Sequence, residues 1–183
     1  MDIYRKAYEK LLDWKKTSGE TAMLIEGARR VGKSYLVKKF AAKEYKSYIY
    51  IDFANVSSEI TELFEKEAYQ LDIFFLKLEA FYGVTLEKRK SCIIFDEVQM
   101  YPKARQMIKY LVADGRYDYI ETGSLVSIKQ NVERIVIPSE EERIQLNPLD
   151  FDEFLIALGE EKIVKYIQQC YRKLVPMGEA LHR

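Results

Sequence analysis

Residues 27–34 read Gly-Ala-Arg-Arg-Val-Gly-Lys-Ser, a G-x-x-x-x-G-K-S string set between an apolar run, Ala22-Met23-Leu24-Ile25, and a segment of helical pattern. A strand, a glycine loop and a helix in that order leave few folds open. Two glycines let the backbone curl until its N–H groups converge on one point. The helix that follows adds the positive end of its dipole, and Lys33 adds an ammonium aimed at β- and γ-phosphates. Ser34 brings a hydroxyl suited to a magnesium ion. The expected nucleotide-binding stretch is therefore Gly27, Ala28, Arg29, Arg30, Val31, Gly32, Lys33, Ser34 and Tyr35. An ordinary strand-to-helix turn would need neither the lysine nor the hydroxyl after Gly32.

The rest of the chain must supply a core large enough to carry that loop. Of 183 residues, 48% are hydrophobic, with 14 Tyr and 9 Phe, so a sizeable core is expected, in one domain or one domain plus part of another, and disorder is excluded. Basic and acidic residues balance at 29 each, which removes the electrostatic case for a general nucleic-acid surface. Cys92 and Cys170 have no metal spacing and read as buried thiols of a reducing compartment. No apolar run is long enough for a membrane span and the start lacks a signal-peptide profile, so a cytoplasmic protein is expected.

Periodicity then places the elements. Tyr4, Ala7, Tyr8, Leu11 and Leu12 repeat at helical spacing and predict an opening helix that stops near Gly19. Strands are predicted over 22–26, 47–53, 92–95, 117–122 and 134–137, the last extended or followed by another over 144–146. Helices are predicted after the loop, over 57–83 as one pattern, from Pro102 to Gly115, and twice after Pro148. Lys88-Arg89-Lys90 reads as a solvated turn. Alternating strands and helices with continuous apolar strands predict an α/β fold, a parallel sheet of about five strands sandwiched by helices. The ending, residues 176–183, reads as the lead-in to a further segment.

A phosphate loop binds; hydrolysis asks for more. Asp96-Glu97 ends the apolar strand over 92–95, and parallel strands share one carboxyl edge, where ligands bind. Asp96 is thus the candidate for the metal shell and Glu97 for the base that polarises the attacking water. Thr122 and Ser124 close the next strand on the same edge and are candidates for a hydroxyl contact to the γ-phosphate. Taken alone, either signal also fits a plain surface turn. An arginine that stabilises transferring phosphoryl charge is best assigned to Arg134, with Arg29, Arg30 and Arg105 reading mainly as surface arginines. His182 has no role.

As a set, the string 26–34, Ile94-Phe95-Asp96-Glu97-Val98-Gln99, Thr122-Gly123-Ser124-Leu125 and Asn147-Pro148-Leu149-Asp150-Phe151-Asp152-Glu153-Phe154 resembles the prokaryotic AAA-type ATPase family that usually carries a C-terminal domain of unknown function. The resemblance implies a P-loop NTPase sheet in AAA+-like order with the loop strand inside it. It implies ATP and Mg2+ as cofactors, and a C-terminal domain beyond a chain truncated to its ATPase part. It maps Lys33 and Ser34 to phosphate and metal, Asp96 and Glu97 to metal shell and base, and Thr122 or Ser124 to the sensor. On this reading, residues 1–147 form the ATPase core with its N-terminal helix. Residues 148–183 form a helical extension. Glu121 departs from the family pattern by putting a charge beside the sensor.

The leading expectation is an ATPase whose cycle drives a conformational change or engages a protein partner. A small-molecule kinase would want an acceptor pocket and an arginine-bearing lid; the consecutive Asp96-Glu97 favours water as the acceptor, and no segment reads clearly as a lid. A nucleotide-gated binding module with negligible hydrolysis is the other alternative, because sites of this type often draw an arginine from a neighbouring subunit. Self-association is accordingly among the expected interactions.

Overall fold

The computed structural model describes residues 3–17, 19–124 and 141–178, which fall into two compact units, residues 7–146 and a smaller one formed by residues 3–6 with 147–178. Between Lys6 and Gln145 the described elements run α1 (Lys6–Lys16), β1 (Ala22–Glu26), α2 (Lys33–Glu44), β2 (Ser47–Asp52), α3 (Ser58–Lys66), α4 (Leu71–Tyr82), β3 (Ser91–Asp96), α5 (Pro102–Asp114), β4 (Asp118–Gly123) and β5 (Glu141–Gln145). The five strands make one sheet in the order β2-β3-β4-β1-β5, and every pairing is parallel. This is the expected α/β sheet, with β1 inside it between β4 and β5. The strand expected over 134–137 lies outside the described residues.

Strand alternation sorts the side chains into two layers. On one face Met23, Ile25, Cys92, Ile94, Ile120 and Ile144 pack with Leu11 and Trp14 of α1 and Leu36, Val37 and Phe40 of α2. On the other, Ile49, Ile51, Ile93, Phe95 and Tyr119 pack with α3, α4 and α5. The opening helix starts at Lys6, so Tyr4 precedes it, and its buried stripe is Ala7, Leu11 and Trp14.

The pattern over 57–83 is not one helix. A turn at residues 67–70 splits it, with the Gln70 N–H bonded to the Glu67 carbonyl at 2.9 Å. In an unbroken helix Phe64 and Phe74 would stand about 15 Å apart; after the turn their rings meet edge to face at 5.1 Å. Phe53 and Phe95 join them, at 5.5 and 5.7 Å from Phe64. Burial of such rings, at about 1.5–3 kcal/mol each, outweighs the few backbone bonds lost at the turn.

In the smaller unit, α6 (Phe151–Ala157) and α7 (Glu161–Lys173) follow each other. Asp150 caps α6 through the Glu153 N–H, and the Glu153 carboxylate returns the bond to the Asp150 N–H. Glu153 also pairs with buried Arg5 at 3.3 Å. In α7 Val164 and Cys170 are buried, while Tyr171 and, just past its end, Leu174 are exposed. Among the described residues, no helix is long and apolar enough to cross a membrane.

Candidate functional site

The loop between β1 and α2 is shaped by backbone constraints before any side chain acts. A Cβ built on Gly27 would lie 2.2 Å from the Leu146 carbonyl oxygen, so no side chain fits there. Gly32 sits at φ 95°, in the left-handed region, and caps α2 without any side-chain hydrogen bond. No acidic residue occupies the first turn of α2. Its N–H groups therefore face the loop without a competing carboxylate, as an anion-binding helix start requires. Ala28, Arg29, Arg30 and Tyr35 are exposed, Val31 and Ser34 half-buried, and Lys33 buried. The Lys33 ammonium donates to the Gly27 and Ala28 carbonyls at 3.2 and 3.0 Å.

The acidic pair stands beside this loop, as the parallel-sheet argument expects. Ser34 Oγ lies 2.8 Å from Asp96 Oδ2 and 3.0 Å from Oδ1. Thr122 donates its hydroxyl to Asp96 Oδ1 and accepts the Glu97 N–H at 3.1 Å, so one residue ties both acids to β4. Ser124 is buried just beyond the end of β4. Glu97 takes a left-handed conformation at φ 52°, and its carboxylate accepts from the side-chain amide of Gln99.

Two neighbours of the acidic pair were not among the expected site residues. Tyr50, in β2, donates its hydroxyl to Asp96 Oδ2. Burial, and then the bond to Asp96, raises that phenol well above its usual range. Gln99 was present in the Asp-Glu-Val-Gln string but carried no assigned role. Finding Tyr50 needed the β2–β3 register, which pairs Tyr50 with Ile94 and Asp52 with Asp96. Only then do Tyr50 and Asp96 fall on one face.

The donor set suits magnesium. One hydroxyl and one carboxylate are hard oxygen ligands that leave most of the coordination shell to phosphate and water, which is how this ion is usually bound. Among the described residues, no group of three or more His, Cys, Asp or Glu side chains offers an alternative all-protein metal cage.

Two expectations change. Arg105, expected at the surface, is 3% exposed and pairs with Glu141 at 2.9 Å. Glu121, expected as a charge beside the sensor, points to the opposite face from Thr122 because neighbours alternate along a strand. It is fully buried near Glu141 and Arg105, and that burial, with the Glu141 charge, pushes its carboxyl well above the ordinary range. Arg134 and His182 lie outside the described residues.

Among solved structures, PCH-2 of C. elegans aligns at 14% identity and TM-score 0.46, over 93% of this chain and 48% of that one. Cdc6p of Pyrobaculum aerophilum aligns at 11% identity and TM-score 0.49, over 87% of this chain and 49% of that one. The chain spans about half the length of each. No curated protein matches it. The family model described as AAA domain matches residues 19–155, a stretch that takes in the loop, the acidic pair and Thr122, and the chain belongs to that family.

Proposed function

We propose that this chain binds ATP with magnesium at the carboxyl rim of its sheet and hydrolyses it, coupling the cycle to a conformational change or a protein partner. Family membership supports the coarser part, a nucleotide-binding module of ATPase type. The observation that carries the finer part is the 2.8 Å bond between Ser34 of the loop and Asp96 of β3, with Thr122 joining Asp96 to Glu97.

Each residue then has a part. Lys33 exchanges the two loop carbonyls for phosphate oxygens, a contact strengthened by full charge on both sides. Ser34 and Asp96 are the residues that would hold magnesium, which when bound neutralises charge on the β- and γ-phosphate oxygens. Glu97 accepts a proton from the attacking water as that oxygen bonds to the γ-phosphorus and the bond to the bridging oxygen breaks. Thr122 keeps Asp96 and Glu97 in fixed relation, and Ser124 extends that rim. The remaining positive charge, needed to stabilise the negative transferring group, is assigned to Arg134 or to an arginine from a neighbouring copy. Adenine is preferred because the chain lacks a guanine-reading Asn/Thr-Lys-x-Asp string. We place the activity in the cytoplasm, with residues 1–147 as its core.

Calorimetric titration with ATP, with and without Mg2+, tests the reading on wild type and Lys33→Ala. Loss of one ammonium-to-phosphate contact, worth about 1.5–3 kcal/mol, is expected to weaken binding by at least about tenfold. Equal affinity of the two proteins overturns the site. Phosphate release by wild type against Glu97→Gln separates hydrolysis from a nucleotide-gated switch: equal release leaves binding as the function.

A further inference from the structure

Asp96 is surrounded by hydroxyls. Its side chain accepts from Ser34 at both oxygens, from Thr122 at Oδ1 and from Tyr50 at Oδ2, and the residue is only 4% exposed. A carboxylate offers about four lone-pair positions, and three hydroxyl protons crowd them, the one from Ser34 being shared between both oxygens. Magnesium gives up its water reluctantly and is held through water as well as protein oxygen. A water on the ion that is to donate to Asp96 competes there with the three hydroxyls.

The three are not equally held. Ser34 is fixed in the first turn of α2 and is itself one of the residues assigned to the ion. Thr122 is wholly buried and has a second bond, from the Glu97 N–H. Tyr50 is half-buried, sits on the longest of the three side chains, and reaches Asp96 from a neighbouring strand. Its hydroxyl shares Asp96 Oδ2 with that of Ser34. It therefore stands at the junction of the two residues that would hold the metal. The Lys38 ammonium lies 3.6 Å from the centre of the Tyr50 ring, and that contact does not depend on the hydroxyl.

Resting on the nucleotide reading above, we propose that the Tyr50 hydroxyl holds the place on Asp96 that a metal-bound water takes, so that Tyr50 opposes metal loading and sets how strongly magnesium tightens nucleotide binding. Ser34 and Thr122 stay on Asp96 through the exchange. The phenol oxygen is rigid with its ring, so the Tyr50 side chain pivots as a unit when it leaves Asp96.

Tyr50→Phe removes one oxygen and keeps the ring and its cation contact. ATP affinity in EDTA is expected to stay within about twofold of wild type, while the extra affinity conferred by Mg2+ grows by at least about threefold, the scale of one hydroxyl-to-carboxylate bond partly replaced by water. An unchanged increment overturns the proposal. A smaller one does so as well, because it makes Tyr50 a support for the metal site. A second arm dispenses with nucleotide: Mn2+ alone, an octahedral oxygen-seeking stand-in, is titrated by water-proton relaxation. Tyr50→Phe is expected to bind it at least about threefold more tightly than wild type, and equal binding overturns the competition. Should Lys33→Ala bind ATP like wild type, the nucleotide reading fails and the Mn2+ arm still decides the place of Tyr50.

Discussion

Thr122 and Asp96 face each other across the β3–β4 ladder, joined by a hydroxyl-to-carboxylate hydrogen bond on the same side of the sheet as α2. Because Thr122 also accepts the Glu97 N–H at 3.1 Å, it fixes the backbone exactly one residue beyond the strand, where Glu97 turns into a left-handed conformation. A non-glycine residue in that conformation costs about 1 kcal/mol or more, and the bond to Thr122 helps offset it.

Thr122→Val keeps the shape of the side chain and deletes both bonds. It is expected to lower stability by about 1–3 kcal/mol, since the Glu97 N–H loses its acceptor in a closed setting. Thr122→Ser keeps the hydroxyl and gives up one methyl, so it is expected to lose about 1 kcal/mol or less. Urea denaturation of the two variants beside wild type measures the difference. Equal losses would assign the residue to packing rather than to its hydrogen bonds. On the nucleotide reading, Thr122→Val also lowers the rate of phosphate release more than the affinity for ATP.

Gly27 supports a prediction about the loop itself. The Leu146 N–H bonds the Glu26 carbonyl at 2.7 Å, which brings the Leu146 carbonyl to within 2.2 Å of where a Cβ on Gly27 would stand. Neither group is the end of a flexible side chain, so the backbone has to move. Gly27→Ala is expected to cost about 1–3 kcal/mol, the usual range for forcing an extra methyl group into a packed site. Weaker ATP binding should accompany it. Thermal denaturation with and without nucleotide reads both effects, and an alanine variant as stable as wild type would show that the contact between β1 and the end of β5 gives way easily.

Much of this site was legible in the sequence because its determinants are local. The loop announces itself through Gly27, Gly32, Lys33 and Ser34 in consecutive order, and the place of Asp96 follows from one rule, that parallel strands end on a common edge. What stayed hidden depended on register or on tertiary contacts. Tyr50 belongs with Asp96 only once β2 is paired with β3, and Glu121 parts from Thr122 only once β4 is seen as a strand with two buried faces. Arg105 looked like a surface residue because its partner, Glu141, comes from a distant strand. The break between α3 and α4 has neither glycine nor proline to mark it; the meeting of Phe64 and Phe74 drives it.

Glu121 leads to a prediction about pH. Its carboxyl is buried beside the Glu141 carboxylate, to which only its protonated form can donate, and the other groups around it are Arg105 and Arg143. Glu141 is already committed to Arg105 at 2.9 Å and to Arg143 at 2.8 Å. Neither arginine is left to neutralise a second carboxylate fully, so the folded protein favours the protonated form of Glu121. In the unfolded chain the same carboxyl titrates at about 4.3. Its contribution to stability is complete below that value and is lost as pH rises towards the higher folded value, at a rate of up to about 1.4 kcal/mol per pH unit. Glu121→Gln supplies a neutral side chain of the same size at every pH. The variant is therefore expected to gain on wild type steadily from about pH 5 upward, as read from urea midpoints at several pH values. Parallel curves for the two proteins would mean that Glu121 is ionised in the fold and balanced by Arg105.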